Sequence, residues 1–167
     1  VAGFRIVAAV GCPLVRVGAP RGYNPEPGYF ALYDEAVKAF AKAIEITRAN
    51  GVRAIIETHV GTIFVSASLT HRLVGNFDPA DIGILYDPQN NVMDGFETIP
   101  LALDLMGPYL AHLHIGGHKC VPGEPDANGT VPWTYPGCRL QEGRYNYPLL
   151  LSELDRRGYA GFISVED

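Results

Sequence analysis

Five apolar runs of strand length, separated by segments of helical period, constrain the fold of this chain more than any other feature. They are "LVRVGAP" (Leu14 to Pro20), "VRAIIETH" (Val52 to His59), "DIGILYDP" (Asp81 to Pro88), "YLAHLHIGG" (Tyr109 to Gly117) and the closing "FISVED". Continuous apolar runs of this kind suit strands buried on both faces, as in a parallel sheet. Between the first two, "YDEAVKAFAKAIEITRANG" sets Val37, Phe40, Ala41 and Ile44 on one helical face, and Asn50-Gly51 supplies the stop. Further helices are expected around Leu69 to Val74, over Ile99 to Leu105, and along "PLLLSELDRRG", opened by Pro148 and closed by Gly158. Strand and helix alternate, so the expected fold is α/β, built of βαβ units.

At 167 residues the chain is long enough for one sizeable core, and a single domain over residues 1–167 is expected. A closed eight-stranded α/β barrel takes about 250 residues, or roughly 30 per unit, so about five units fit. The barrel reading is therefore of an incomplete barrel. The competing doubly wound sheet fits the length but lacks a G-x-G-x-x-G after the first strand. One stretch breaks the alternation: Cys120 to Gly143, rich in Gly and Pro and without either period, reads as a lid-like insertion over about 120–143. The chain opens on Val1 rather than Met, which suggests processing or truncation. A five-strand arc would leave two open edges, so these residues in isolation are expected to aggregate or fold poorly.

The formal net charge of -5 argues against a broad phosphate-binding face, and nucleic acid is not an expected partner. The adjacent pair Arg156-Arg157 falls at a predicted helix end, where it complements the helix dipole. Cys12, Cys120 and Cys138 make an odd count with no C-x-x-C, so they read as small apolar residues in a reducing compartment rather than a disulfide or zinc framework. No apolar stretch approaches the roughly 18 residues that span a bilayer. A cytoplasmic protein without a membrane partner is the expectation.

The chemistry lies at the strand ends. Glu57 follows "VRAII", Asp87 follows "DIGILY", His114 sits within "AHLHIGG", and Glu166 follows "FISV". In a parallel barrel the carboxyl ends of the strands meet at one face, so residues far apart in sequence converge there. Taken singly, a carboxylate at a strand end is a cap or turn residue, and a His on an apolar strand is a core residue. Four in succession point instead to one divalent-metal site, with the carboxylates favouring Mn, Mg or Co and the imidazole admitting Zn.

The succession "ETH", "LYDPQN", "AHLHI" and "LLLSELDRRGYAGFISVED" resembles the xylose-isomerase-like barrel superfamily, in particular the sugar phosphate isomerases/epimerases. The resemblance covers most of the chain and implies a partial (β/α)8 TIM barrel, about its strands three to seven. It also implies that Glu57, Asp87, His114 and Glu166 hold the divalent ion and that Glu57 and Glu166 act as the acid/base pair. The implied reaction moves a proton beside a carbonyl of a sugar or sugar phosphate through an enediolate, giving isomerisation or epimerisation. The complete protein is compatible with a homo-oligomer. Three other outcomes stay open: an inosose-type dehydratase, a metal-dependent nuclease resembling endonuclease IV, and a non-catalytic ligand-binding member. The acidic charge weighs against the nuclease.

Five residues are candidates for substrate contact. His59 shares the parity of Glu57, and Arg16 lies within the first run, although a snorkelling arginine is the reading favoured there. Asn90 stands three residues after Asp87, where many relatives have His; it can bond a hydroxyl but cannot serve as a general acid. His118 and Lys119 follow His114 only after Gly116 and Gly117, so contacts made by a family lysine directly after the His do not transfer. Trp133 could stack on a sugar ring or anchor the insertion. His112 shares the parity of His114 and is read as pocket-lining or buried, His71 as solvated or packing, and Asp167 as turned away from the pocket.

Overall fold

The computed structural model describes residues 2–19, 23, 26–91, 93 and 97–166. The main sheet consists of β1 (Leu14–Arg16), β2 (Arg53–Glu57), β3 (Ile82–Tyr86), β4 (Leu110–Ile115) and β9 (Phe162–Val165), in the order β1-β2-β3-β4-β9. Every neighbouring pair in it is parallel. Helices α1 (Ala2–Ala9), α2 (Tyr29–Ala49), α3 (Ala67–Val74), the single turn α4 (Pro88–Asn91), α5 (Ile99–Met106) and α6 (Tyr147–Arg156) fall between or before the strands. This is the expected arc of an α/β barrel. Each strand is shorter than its apolar run because the run continues into the loop at its carboxyl end; Pro20 and Asp167 lie outside the described residues. Helix α1 was not anticipated, although Gly11, at φ 73, and Pro13 mark its end before the first run.

Alternation along the strands sorts side chains between two faces. Ala54, Ile56, Ile82, Ile84, Tyr86 and Leu113 meet the helices in the main core. There α2 contributes Phe40 and Ile44, each burial being worth about 1.5–3 kcal/mol. The opposite, concave face carries Ile55, Leu85 and Ala111. A register shift pairs Ile84 with Leu110 and Leu85 with His112, leaving Ala111 as the extra residue of a bulge. The shift keeps His112 and His114 on the concave face beside Leu85 and Asp87.

Local signals explain the helix limits. Gly51, at φ 67, ends α2 in the left-handed region that glycine adopts freely. Ser66 caps α3 by accepting from Leu69 N at 3.4 Å, and Asn146 caps α6 by accepting from Leu149 N at 3.0 Å. Arg157 reaches Asp104 at 2.6 Å and also pairs with Glu153, so it ties α6 to α5 as well as lying at a helix end. Among the described residues, no helix is long and apolar enough to cross a membrane.

The insertion has more order than its composition suggests. The rung β5 (Gly117–His118) pairs antiparallel with β8 (Gly137–Cys138), and β6 (Val121–Pro122) with β7 (Trp133–Thr134). Its tip is closed by the Asp126 carboxylate, which accepts from Asn128 N at 2.8 Å and Thr130 N at 2.9 Å. The result is a narrow two-stranded arm, mostly exposed, whose base abuts the end of β4. Two-residue rungs are too short to leave a period in sequence.

Candidate metal centre

The parallel register brings the four strand-end residues to one edge of the sheet. Glu57 is the last residue of β2, Asp87 follows β3, His114 is the penultimate residue of β4, and Glu166 follows β9. One ligand atom from each lies within 4.8 Å of all the others. Ligands on opposite sides of a single ion are separated by about twice a metal–ligand bond, or about 4–5 Å, so this spacing suits one cation.

The hydrogen bonding within the group gives the same indication. His114 Nδ1 lies 3.3 Å from Glu57 Oε1 and 3.3 Å from Glu166 Oε2. It is nevertheless buried without a hydrogen bond. A buried imidazole nitrogen left unsatisfied between two carboxylates is costly unless something binds there. Burial, opposed by a hydrogen bond from Gln89 and reinforced by the negative charges of Glu57 and Glu166, pushes the Asp87 carboxyl up to about 7. Crowded carboxylates and an orphaned nitrogen form a donor set that a divalent cation would satisfy in full.

Neighbouring groups fix these candidate ligands. Arg16 pairs with Glu57 Oε2. Asp87 accepts from Gln89 N at 3.0 Å, from Gln89 Nε2 at 3.2 Å and from the Asn90 amide. Gln89 Nε2 also lies 3.4 Å from Glu166 Oε2, so one amide spans two of the carboxylates. Sequence reasoning missed Gln89; its spacing of two from Asp87 was the available signal.

A cavity of about 680 Å³ adjoins the group, with Asp87 and Glu166 in its lining together with His59, Asn90, His118 and Arg139. Three of the five substrate candidates therefore share it. His59 Nδ1 lies 2.7 Å from Val60 O, and since a carbonyl only accepts, this nitrogen carries the proton and Nε2 is left as an acceptor. Asn90 is 4% exposed, and its Oδ1 accepts from Val60 N at 3.1 Å, so it braces the loop after β2 as well as Asp87. Arg16 lies in an adjoining recess with Glu57. Trp133 sits on the outer rung of the arm, 52% exposed and away from the cavity lining.

The remaining candidates lie elsewhere. His112 bonds Ser164 Oγ through Nε2 at 2.9 Å and packs edge-on to His114, on the concave face below the ligands. His71 packs against Tyr109. The cysteines are all free; Cys12 is exposed rather than packed, and Cys138 reaches the cavity wall. Lys119 pairs with Glu142 at 3.0 Å, outside the cavity lining. Arg139 was not anticipated, because nothing in the insertion marks which residues return to the barrel mouth.

A family model described as xylose isomerase-like TIM barrel matches residues 3–167. No curated protein matches the chain. Among solved structures, a xylose isomerase-like TIM barrel protein from Mycobacterium smegmatis in complex with magnesium aligns with TM-score 0.72 and 19% identity, over 99% of this chain and 59% of that one. A probable 3-DHS dehydratase from Bacillus anthracis aligns with TM-score 0.77 and 19% identity, over 99% and 62%. D-Psicose 3-epimerase from Clostridium cellulolyticum H10 with D-tagatose aligns with TM-score 0.70 and 19% identity, over 99% and 55%. The chain thus spans between 55% and 62% of the length of these structures.

Proposed function

We propose that this chain, which belongs to the xylose isomerase-like TIM barrel family, carries the metal-binding and proton-transfer part of an isomerase or epimerase acting on a sugar or sugar phosphate. The observation that carries the reading is the convergence of Glu57, Asp87, His114 and Glu166 within 4.8 Å at one edge of the sheet. A divalent ion such as Mn, Mg or Co, held by these four, would act as a Lewis acid on the carbonyl and hydroxyl oxygens of the substrate.

The proton chemistry belongs to the two glutamates. Glu57 and Glu166 come from β2 and β9, with β3 and β4 between them, and approach His114 Nδ1 from two directions. A carboxylate on one side takes the proton from the carbon beside the carbonyl, and the C–H electron pair moves into the C–C bond as the carbonyl oxygen gains charge. Returning a proton to the same carbon from the other glutamate inverts it. Returning it to the neighbouring carbon moves the carbonyl instead. Arg16 holds Glu57 in one orientation, and Gln89 tethers Glu166. His59, in the cavity lining, would orient substrate hydroxyl groups.

Neighbours named as an epimerase, a magnesium complex and a dehydratase support this by analogy of fold alone. The test is turnover of a panel of ketoses and ketose phosphates by the complete protein, with products identified and with Mg, Mn or Co supplied in turn. Divalent-dependent isomerisation or epimerisation that falls in E57Q and E166Q is expected. Loss of water as the product chemistry would convert the reading to a dehydratase, and unchanged behaviour in both variants would overturn the mechanism.

A further inference from the structure

The cavity has two chemically different parts. One is the floor, where Asp87 and Glu166 belong to the metal-ligand group. The other is the base of the arm, which presents His118, Cys138 and Arg139. Three carboxylates balanced by one divalent cation and by Arg16, which pairs with Glu57, carry no excess charge, so the floor alone gives an anion no attraction. The arm adds a positive charge at Arg139.

Arg139 differs from the arginines that are tied to carboxylates. Arg16, Arg48, Arg156 and Arg157 are each paired with a carboxylate. The Arg139 side chain has neither an ion pair nor a hydrogen bond among the described residues, although it lines a concave site. On the facing rung, His118 Nδ1 is buried without a partner. Lys119, the next residue, is engaged by Glu142 instead.

The backbone carrying Arg139 is held in place. Gly117 approaches so closely that a Cβ there would overlap Cys138 O and come within 2.8 Å of Arg139 O. That same Arg139 carbonyl accepts from Glu142 N at 2.9 Å. Arg139 is exposed, with its guanidinium donors free and its backbone held at the cavity lining, and a guanidinium matches the planar oxygens of a phosphate or carboxylate.

We propose that the substrate carries an anionic group, a phosphate monoester or a carboxylate, received by Arg139 with His118 at the base of the arm. The inference rests on the reading of this cavity as a sugar site and narrows it to charged sugars. A cavity of about 680 Å³ lies within the usual range of roughly 300–1,000 Å³ for small-ligand sites.

The complete protein and its R139A and R139K variants are titrated calorimetrically with inorganic phosphate and, separately, with acetate, each with and without Mg2+. K119A serves as the control for general surface charge. Weakening of phosphate or acetate binding by about tenfold or more in R139A, less in R139K and not in K119A is expected, and the stronger of the two probes identifies the anion. Equal affinity of wild type and R139A for both probes would overturn the proposal. Arg139-dependent binding in a protein that turns over no ketose would sustain the anion site and refute the isomerase reading. Turnover of neutral ketoses without Arg139-dependent anion binding would do the reverse.

Discussion

The Tyr147 hydroxyl donates to Gly116 O at 2.6 Å and accepts from Gly116 N at 3.1 Å, so one side chain satisfies both backbone groups of the residue that follows β4. Burial pushes this phenol up to about 12, and it remains a donor at ordinary pH. Y147F is expected to leave two buried backbone groups unpaired and to cost about 1–3 kcal/mol. Urea unfolding of the complete protein, with amide exchange at Gly116 as a local probe, measures it.

The two glycines after β4 are needed for close approach. A Cβ on Gly116 would collide with Gln89 Oε1 and lie 2.8 Å from Glu166 O, and one on Gly117 would overlap the β8 backbone. Moving the backbone of Glu166 displaces a candidate metal ligand, whereas moving β8 displaces only the arm. G116A is therefore expected to weaken divalent binding at least tenfold by calorimetry, and G117A to alter substrate affinity more than metal affinity.

Removing ligands has a graded outcome. H114A and D87N should abolish measurable divalent binding while leaving far-ultraviolet circular dichroism unchanged, because neither side chain belongs to the main apolar core. E57Q and E166Q should lower turnover by about 10²–10⁴, the usual contribution of a positioned acid or base.

The pH dependence follows from Asp87, raised from 3.8 to about 7 chiefly by burial. Between those values the folded protein holds a proton that the unfolded chain has released. Metal-free stability should therefore fall as pH rises through this window and level off above about 7. Divalent binding needs the ionised carboxylate, so affinity should rise over the same interval, and added Mg2+ should raise the melting temperature more at about pH 8 than at about pH 6. Opposite trends would exclude Asp87 as a ligand.

Strand β9 exposes Phe162 and Val165 at 62% and 63%, on opposite faces, beside an edge with no partner strand among the described residues. A polypeptide of these 167 residues alone is expected to self-associate in size-exclusion chromatography. Charged substitutions at Phe162 and Val165 should reduce that association.

Strand order and the metal-ligand candidates were legible because both follow from one repeating pattern, an apolar run ending in a donor. Parity alone set Glu57 with His59 and His114 with His112. The supporting groups were not legible, since they depend on contacts between distant loops. Gln89 touches Glu166 only after β9 is laid against β4, and Arg139 reaches the cavity only because β8 folds back on β5. Trp133, the most conspicuous residue of the insertion, lies on the outer rung, because the rungs and not the aromatic content decide what returns to the barrel.

The arm and the strand ends are encoded in separate stretches, and this bears on how such a protein can diversify. Mutations, insertions or deletions between Lys119 and Pro136 would change the arm while the four ligands keep their register through the sheet. The candidate ligand group can thus keep its geometry while the cavity wall beside it changes, a division of labour between the sheet and the arm.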